Sequence, residues 1–240
     1  MWSFRTIDPL PLLDGMKYVS FVGGGGKTTI SEHLAALALQ RKRRAAITTT
    51  TKIWAREPYV LVGQGPMDGL FARVGRTVEE GKLTGLSADQ IEDVGKGFEL
   101  VLIEADGSKG LPIKYPSSYE PVIPLFTDLT VVVAGLDALS GSVEEKVFRW
   151  ELLSEKAGIA RSARVTPALF LRLFEADGLL KGVDPRKALI ILNKYDACKE
   201  REKVPLLARD LAEHTGIERV VVASTRHAIF YECRRIGALP

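Results

Sequence analysis

The stretch FVGGGGKTT, Phe21 to Thr29, sets four consecutive glycines directly before a lysine and two threonines. Ahead of it, Tyr18-Val19-Ser20-Phe21-Val22 has the composition of a short buried strand. Behind it, Ile30, Leu34, Leu37 and Arg41 recur at helical spacing. Strand, glycine loop and amphipathic helix in that order make a phosphate cradle: successive backbone N–H groups and a helix N-terminus point at the anion, and glycine lets the main chain approach closely. The expected phosphate-binding residues are Gly23, Gly24, Gly25, Gly26, Lys27, Thr28 and Thr29. Lys27 would reach the terminal phosphates, and the Thr28 hydroxyl would coordinate Mg2+. The pattern departs from GxxxxGK(S/T), because Phe21 stands where the first glycine belongs.

At 240 residues the chain can bury one substantial core, and we expect a single domain over 1–240 with room for an insertion around 60–97. In that stretch a strand at Tyr59-Val60-Leu61-Val62 is followed by helical segments that glycines interrupt. No apolar run approaches the roughly 20 residues that span a bilayer, and MWSFRTIDPLPLL lacks the pattern of a secretion signal. A cytoplasmic protein without a membrane partner is the expectation. The formal charge of +3 is small for this length. The basic run Arg41-Lys42-Arg43-Arg44 falls where the helix should end and complements its dipole, and no aromatics interleave it, so nucleic acid is not an expected partner. The two cysteines, Cys198 and Cys233, are isolated, which argues against a structural metal or a disulfide.

Beyond a polar lead-in containing Pro9 and Pro11, further strands are expected at Ala45 to Thr49, Leu100 to Ile103, Leu129 to Ala134, Ala188 to Leu192 and Arg219 to Ala223. Helical segments fall around Glu144 to Lys156, Pro167 to Glu175 and Lys199 to His214. Strands alternating with helices predict an α/β fold: a three-layer α/β/α sandwich of the P-loop NTPase type on a mostly parallel sheet. Ligands then gather at the carboxyl ends of the strands. The segment GSKGLPIKYPSSYEPVIP carries four prolines and is expected as a stiff surface loop.

Phosphoryl transfer needs an acid to hold a metal or its water opposite the lysine. Glu104 and Asp106 both follow the strand Leu100 to Ile103, and either could take that part. The catalytic candidates are Lys27, Glu104 and Asp106, and the metal candidates are Thr28, Glu104 and Asp106. Glu104-x-x-Gly107 has the form of the glutamate variant of DxxG. Asn193-Lys194-Tyr195-Asp196 bears on the base. The Asp196 carboxylate could accept both guanine donors, Asn193 could bond the other edge and the loop, and the stem of Lys194 could pack on the ring. Adenine would set an acceptor against the carboxylate. Ser224, after the last expected strand, sits where GTPases place a backbone N–H against the guanine oxygen. Asp196 could also simply cap the following helix. GTP is favoured over ATP.

Together GGGGKTT, TTTTKIW, IEADGSKGLPIKYPSSYEPVIP, VVVAGLDALS and ILNKYD resemble the YqeC family, accessory proteins of selenium-dependent molybdenum hydroxylases. The block from EADGSK to EPVIP is the most specific part, since no generic NTPase motif predicts it. The resemblance implies a P-loop protein in the maturation or selenium loading of such a hydroxylase, with the client enzyme or a cofactor intermediate as partner. It also places Asp106, Lys109, Lys114 and Glu120 at the ligand edge, the last three as a substrate or partner loop. Some proteins with a related glycine cluster carry, at the place of Val22, a lysine that reaches a dimer partner's nucleotide; that lysine is absent here.

The expected function is Mg2+-dependent binding and hydrolysis of GTP coupled to hydroxylase maturation, with Mg2+ as cofactor. Two alternatives stay open. One is an ATP-dependent small-molecule kinase or transferase in selenium or molybdenum cofactor metabolism, and the other is a nucleotide-gated chaperone without significant turnover of its own.

Overall fold

Uninterrupted apolar strands send alternate side chains to opposite faces, so both faces of their sheet must be covered. The computed structural model, which describes residues 2–64 and 69–235, meets that requirement. On one face Leu100 and Leu102 pack with Phe21, Val131 and Val133 beneath helix Lys27–Gln40. On the other, Val101 and Ile103 meet helix Ala88–Gly97, while Val132, Ala134, Ile190 and Leu192 meet helix Val204–Thr215. The architecture is the expected α/β/α sandwich.

The main sheet has ten strands in the spatial order Trp2–Thr6, Ile229–Arg235, Val220–Ser224, Ala188–Asn193, Leu129–Gly135, Tyr18–Gly23, Leu100–Glu104, Ala45–Thr49, Phe71–Gly75 and Tyr59–Leu61. From Val220–Ser224 onward every neighbouring pair is parallel. Trp2–Thr6 and Ile229–Arg235 close the other edge as antiparallel strands. The strand bearing the glycine loop is central and lies beside the strand bearing the acids. Parallel pairing brings the carboxyl ends together, so Gly23, Thr49, Glu104, Gly135, Asn193 and Ser224 share one edge.

Several local features differ from the sequence pattern. The glycine-interrupted stretch adds Tyr59–Leu61 and Phe71–Gly75 to the main sheet, and residues 65–68 within it lie outside the described residues. A small antiparallel sheet forms from Lys52–Trp54, Val78–Glu79 and Lys82–Thr84. The expected helical stretch from Glu144 to Lys156 divides into Val143–Lys146 and Trp150–Ala157 around a two-residue strand, Val147–Phe148. That strand pairs with Ile113–Lys114 and draws part of the proline-rich segment inward. Ile113, Lys114 and Tyr115 are consequently buried, where the prolines had suggested a surface loop. The helix expected from Lys199 begins at Val204, with a proline in its first turn. Among the described residues no helix is long and apolar enough to cross a membrane.

Candidate functional site

Three of the four loop glycines are required by contact as well as by backbone angle, Gly26 (φ 117°) against the Asn193 side chain at 2.7 Å and the other two against backbone. At Gly23 (φ 95°) an added Cβ would stand 2.2 Å from the Val133 carbonyl oxygen. At Gly25 (φ 78°) it would stand 2.2 Å from the Gly135 nitrogen. The loop is thus pressed against the end of strand Leu129–Gly135. Its amides are engaged accordingly: the Gly23 N–H donates to Asp106 Oδ2 (2.9 Å), that of Gly24 to the Val133 carbonyl (2.9 Å) and that of Gly25 to the Leu111 carbonyl (3.0 Å). The glycines shape the loop, and donors for an anion come from the first turn of helix Lys27–Gln40, whose N–H groups have no intrahelical acceptor. Lys27, Thr28 and Thr29 in that turn line an open cleft.

Lys27 is buried. Its Nζ lies 3.0 Å from Asp106 Oδ1 and donates to the Gly23 carbonyl at 2.5 Å. Asp106 is shared: its Oδ2 lies 3.2 Å from Nζ of Lys114. Lys114, 1% exposed, also reaches Glu120 Oε2 at 2.6 Å and donates to the Gly107 carbonyl at 2.8 Å. Arg149 pairs with the same Glu120 oxygen. A chain of alternating charge therefore runs from the phosphate loop through Lys27, Asp106, Lys114 and Glu120 to Arg149. Burial by itself would push Glu120 up, but hydrogen bonds from Arg149 and Lys114 outweigh it and hold the carboxyl below its usual range. With a depressed folded pKa, these pairs stabilise the fold above the unfolded value of roughly 4.3 and lose that contribution as pH falls through the folded value. Lys114→Met would leave two buried acids short of a partner, although Lys27 and Arg149 still serve them. We expect a loss of about 3 kcal/mol in urea unfolding, against less than about 0.5 kcal/mol for an exposed lysine such as Lys42.

Glu104 contrasts with Asp106. It is buried, and its Oε1 has no hydrogen-bond partner among the described residues. Desolvation pushes its carboxyl up, against the charge of Lys27 and a hydrogen bond from Thr28. Asp106 Oδ1 likewise accepts no hydrogen bond, but it lies 3.0 Å from the Lys27 ammonium and Oδ2 takes the Gly23 amide and Lys114, whereas among the described residues no cation pairs with Glu104. The threonines nearby are mostly committed: the Thr48 hydroxyl donates to the Val74 carbonyl at 2.8 Å and that of Thr49 to the Glu104 carbonyl at 2.7 Å.

The Asn193 to Asp196 segment reaches the same loop from the far side. The Asn193 side-chain amide donates to the Gly25 carbonyl (2.9 Å), while its oxygen accepts from the Thr225 N–H (3.2 Å) and hydroxyl (2.7 Å). The Ser224 hydroxyl donates to Asp196 Oδ1 at 2.7 Å, and that bond is the main reason the Asp196 carboxyl is held low. Asp196 remains partly open to solvent, with His227 Nε2 3.7 Å from its second oxygen. Lys194, in the left-handed region at φ 60°, places its Nζ 3.0 Å from Asp137 Oδ2.

The expected residues therefore fall into two groups joined at the loop. Gly26, Lys27, Thr28, Thr29, Glu104, Asp106, Lys109 and Glu120 line a cleft of about 880 Å³; Asn193, Lys194, Asp196 and Ser224 lie outside it, beyond Gly25 and Gly26. Lys114 lies beneath the cleft floor. Three side chains that the motifs did not single out also belong here: Asp137 beside Lys194, Arg149 at the end of the charge chain, and Trp54 on the cleft wall.

Known proteins resemble this chain along most of its length. A protein of Escherichia coli strain K12 described as the uncharacterized protein YqeC is 28% identical over 212 residues, covering 82% of this chain and 83% of that protein. Among solved structures, the hydrogenase maturation factor HypB from Archaeoglobus fulgidus aligns with 92% of this chain and 87% of its own at 15% identity, with a TM-score of 0.45. The family model described as YqeC protein matches residues 19–151, more than half of the 240, and spans the phosphate loop, both acids and the proline-rich segment; the chain belongs to the YqeC family.

Proposed function

We propose that this protein binds Mg2+ and GTP, hydrolyses the nucleotide slowly, and couples the cycle to maturation or selenium loading of a molybdenum hydroxylase. The observation that carries the nucleotide reading is the Asn193 bridge. One side chain joins the phosphate loop at Gly25 to Thr225, so the phosphate end and the Asp196–Ser224 end have a fixed relation. Asp196 accepts the two guanine donors; adenine offers it an acceptor and leaves its charge unpaired. Lys194 lies beside it, with its stem available to the ring.

Thr28 and Glu104 fit a magnesium ion: Glu104 has a buried oxygen without a partner and a carboxyl pushed up by desolvation, and the Thr28 hydroxyl is beside it. Bound there, Mg2+ would neutralise the β- and γ-phosphate oxygens. Asp106 is given to Lys27, Lys114 and the Gly23 amide, and we assign it to setting the lysine rather than to the metal. When phosphate enters, Lys27 exchanges Asp106 and the Gly23 carbonyl for phosphate oxygens. Asp106 then retains Lys114, so no buried carboxylate is stranded.

Thermal denaturation tests the base. With ligand at about 100 times its Kd, Mg2+–GTP should stabilise the chain by about 2.7 kcal/mol, with a smaller effect from Mg2+–ATP at equal concentration. Equal stabilisation by both purines would sink the guanine assignment. The link to a hydroxylase rests on the family's EADGSK to EPVIP block, and it predicts faster nucleotide turnover when the metal-free client enzyme is added. A requirement for a small selenium or pterin compound would favour the transferase reading instead, which the size of the cleft supports.

A further inference from the structure

The cleft in front of Lys27 exceeds what nucleotide phosphates need. About 880 Å³ is the size of a complete small-molecule site, yet none of Asn193, Lys194, Asp196 or Ser224 lines it. With the base read at those residues, the cleft receives only the terminal phosphates, and the remaining space faces a second wall.

That wall is the small sheet. Ile53 and Leu83 are buried beneath it, so strand alternation turns Lys52 and Trp54 outward, and Trp54 pairs in register with Lys82. Trp54 is 55% exposed, and the Lys82 ammonium sits 4.7 Å from its ring centroid. Lys109, elsewhere on the cleft lining, lies 5.5 Å from the Phe148 ring centroid. Other cations here have carboxylate partners: Lys52 pairs with Glu79, and Arg56 with Glu32, which Arg73 also holds. Among the described residues no carboxylate pairs with Lys82 or Lys109. With the Lys82 ammonium over one face of an exposed indole and no carboxylate neutralising it, the other face and that charge call for a ligand that is both flat and anionic.

We propose that this wall is a second-substrate subsite for a planar heteroaromatic acid. The ring stacks on Trp54, and its carboxylate or phosphate is held by Lys82 in the field of Lys109. Trp54 and Lys82 line the same cleft as Lys27 and Thr28, so the ligand shares that space with the phosphate end of the loop. The assignment rests on the nucleotide reading above for its role as a second-substrate site, though not for its binding.

Isothermal titration of the full chain with pterin-6-carboxylate, a flat ring bearing one carboxylate, tests it. The titration is run with and without Mg2+ and a non-hydrolysable GTP analogue. Binding is expected, with affinity roughly tenfold lower or worse for neutral pterin, for cyclohexanecarboxylate, and for the Trp54→Ala and Lys82→Ala variants. Trp54→Tyr should retain most of it, and all three variants should melt normally and bind the GTP analogue like the parent. No binding by the parent chain, or equal binding by Trp54→Ala, would overturn the subsite. Binding of pterin-6-carboxylate by a chain that fails to bind GTP would overturn the nucleotide assignment and leave the subsite standing.

Discussion

Lys27→Ala should abolish the stabilisation conferred by Mg2+–GTP and lower nucleotide turnover on the order of 10²–10³-fold or more. The lysine opens the helix that follows the loop, and its Nζ is already gathered at the Gly23 carbonyl and Asp106. Its loss removes the charge that would meet the terminal phosphates. It also leaves Asp106 nearest to them, which adds repulsion. The fold should tolerate the change better than it tolerates loss of Lys114, because Asp106 keeps Lys114 and the Gly23 amide. Two measurements separate these effects. The melting temperature without nucleotide should move only modestly, while the shift on adding Mg2+–GTP should vanish. An unchanged nucleotide-dependent shift would remove Lys27 from the site. Turnover measured at saturating nucleotide then distinguishes weak binding from failed transition-state stabilisation.

Much of the placement of the candidate residues could be read from the sequence because it follows from a parallel sheet. Strands buried on both faces write continuous apolar runs, as at Leu100 to Ile103 and Ala188 to Leu192, and their carboxyl ends share one edge. The polar residues closing those runs, Glu104, Asp106, Asn193 and Asp196, were therefore expected near the glycine loop. What escaped depends on contacts between segments far apart in the chain. Glu104 and Asp106 look equivalent in sequence; they differ because pairing of Ile113–Lys114 with Val147–Phe148 brings Lys114 and Arg149 into the interior and gives Asp106 a second cation beside Lys27, while no cation pairs with Glu104 among the described residues. The antiparallel strand Ile229–Arg235 gives little signal, because Tyr-Glu-Cys-Arg-Arg mixes polar and apolar residues as a sheet's margin allows. Trp54 was hidden in TTTTKIW for a similar reason: only the pairing with Lys82–Thr84 decides that it faces the cleft. Val22, where a partner-reaching lysine could have stood, is packed in the core.

Asp196→Asn should move base preference from guanine to xanthine, with the GTP to XTP affinity ratio falling by roughly 10²-fold, because GTP loses a charge-assisted hydrogen bond while XTP meets a matched amide. Guanine presents N1–H and an amine to the carboxylate, whereas xanthine presents N1–H and a carbonyl oxygen. An amide matches the second pair, with its oxygen toward N1–H and its NH2 toward the carbonyl. Ser224 bears on which way that amide turns, since its hydroxyl donates to Asp196 Oδ1 at 2.7 Å and would favour an oxygen there. Ser224→Ala in the Asp196→Asn background should therefore weaken XTP binding, while Ser224→Thr, which keeps the hydroxyl, should restore part of it. Thermal shifts with GTP, XTP and ATP measured in parallel check the whole set. If Asp196→Asn leaves the order of the three nucleotides unchanged, Asp196 serves the turn before helix Val204–Thr215 and not the base, and the guanine assignment fails with it.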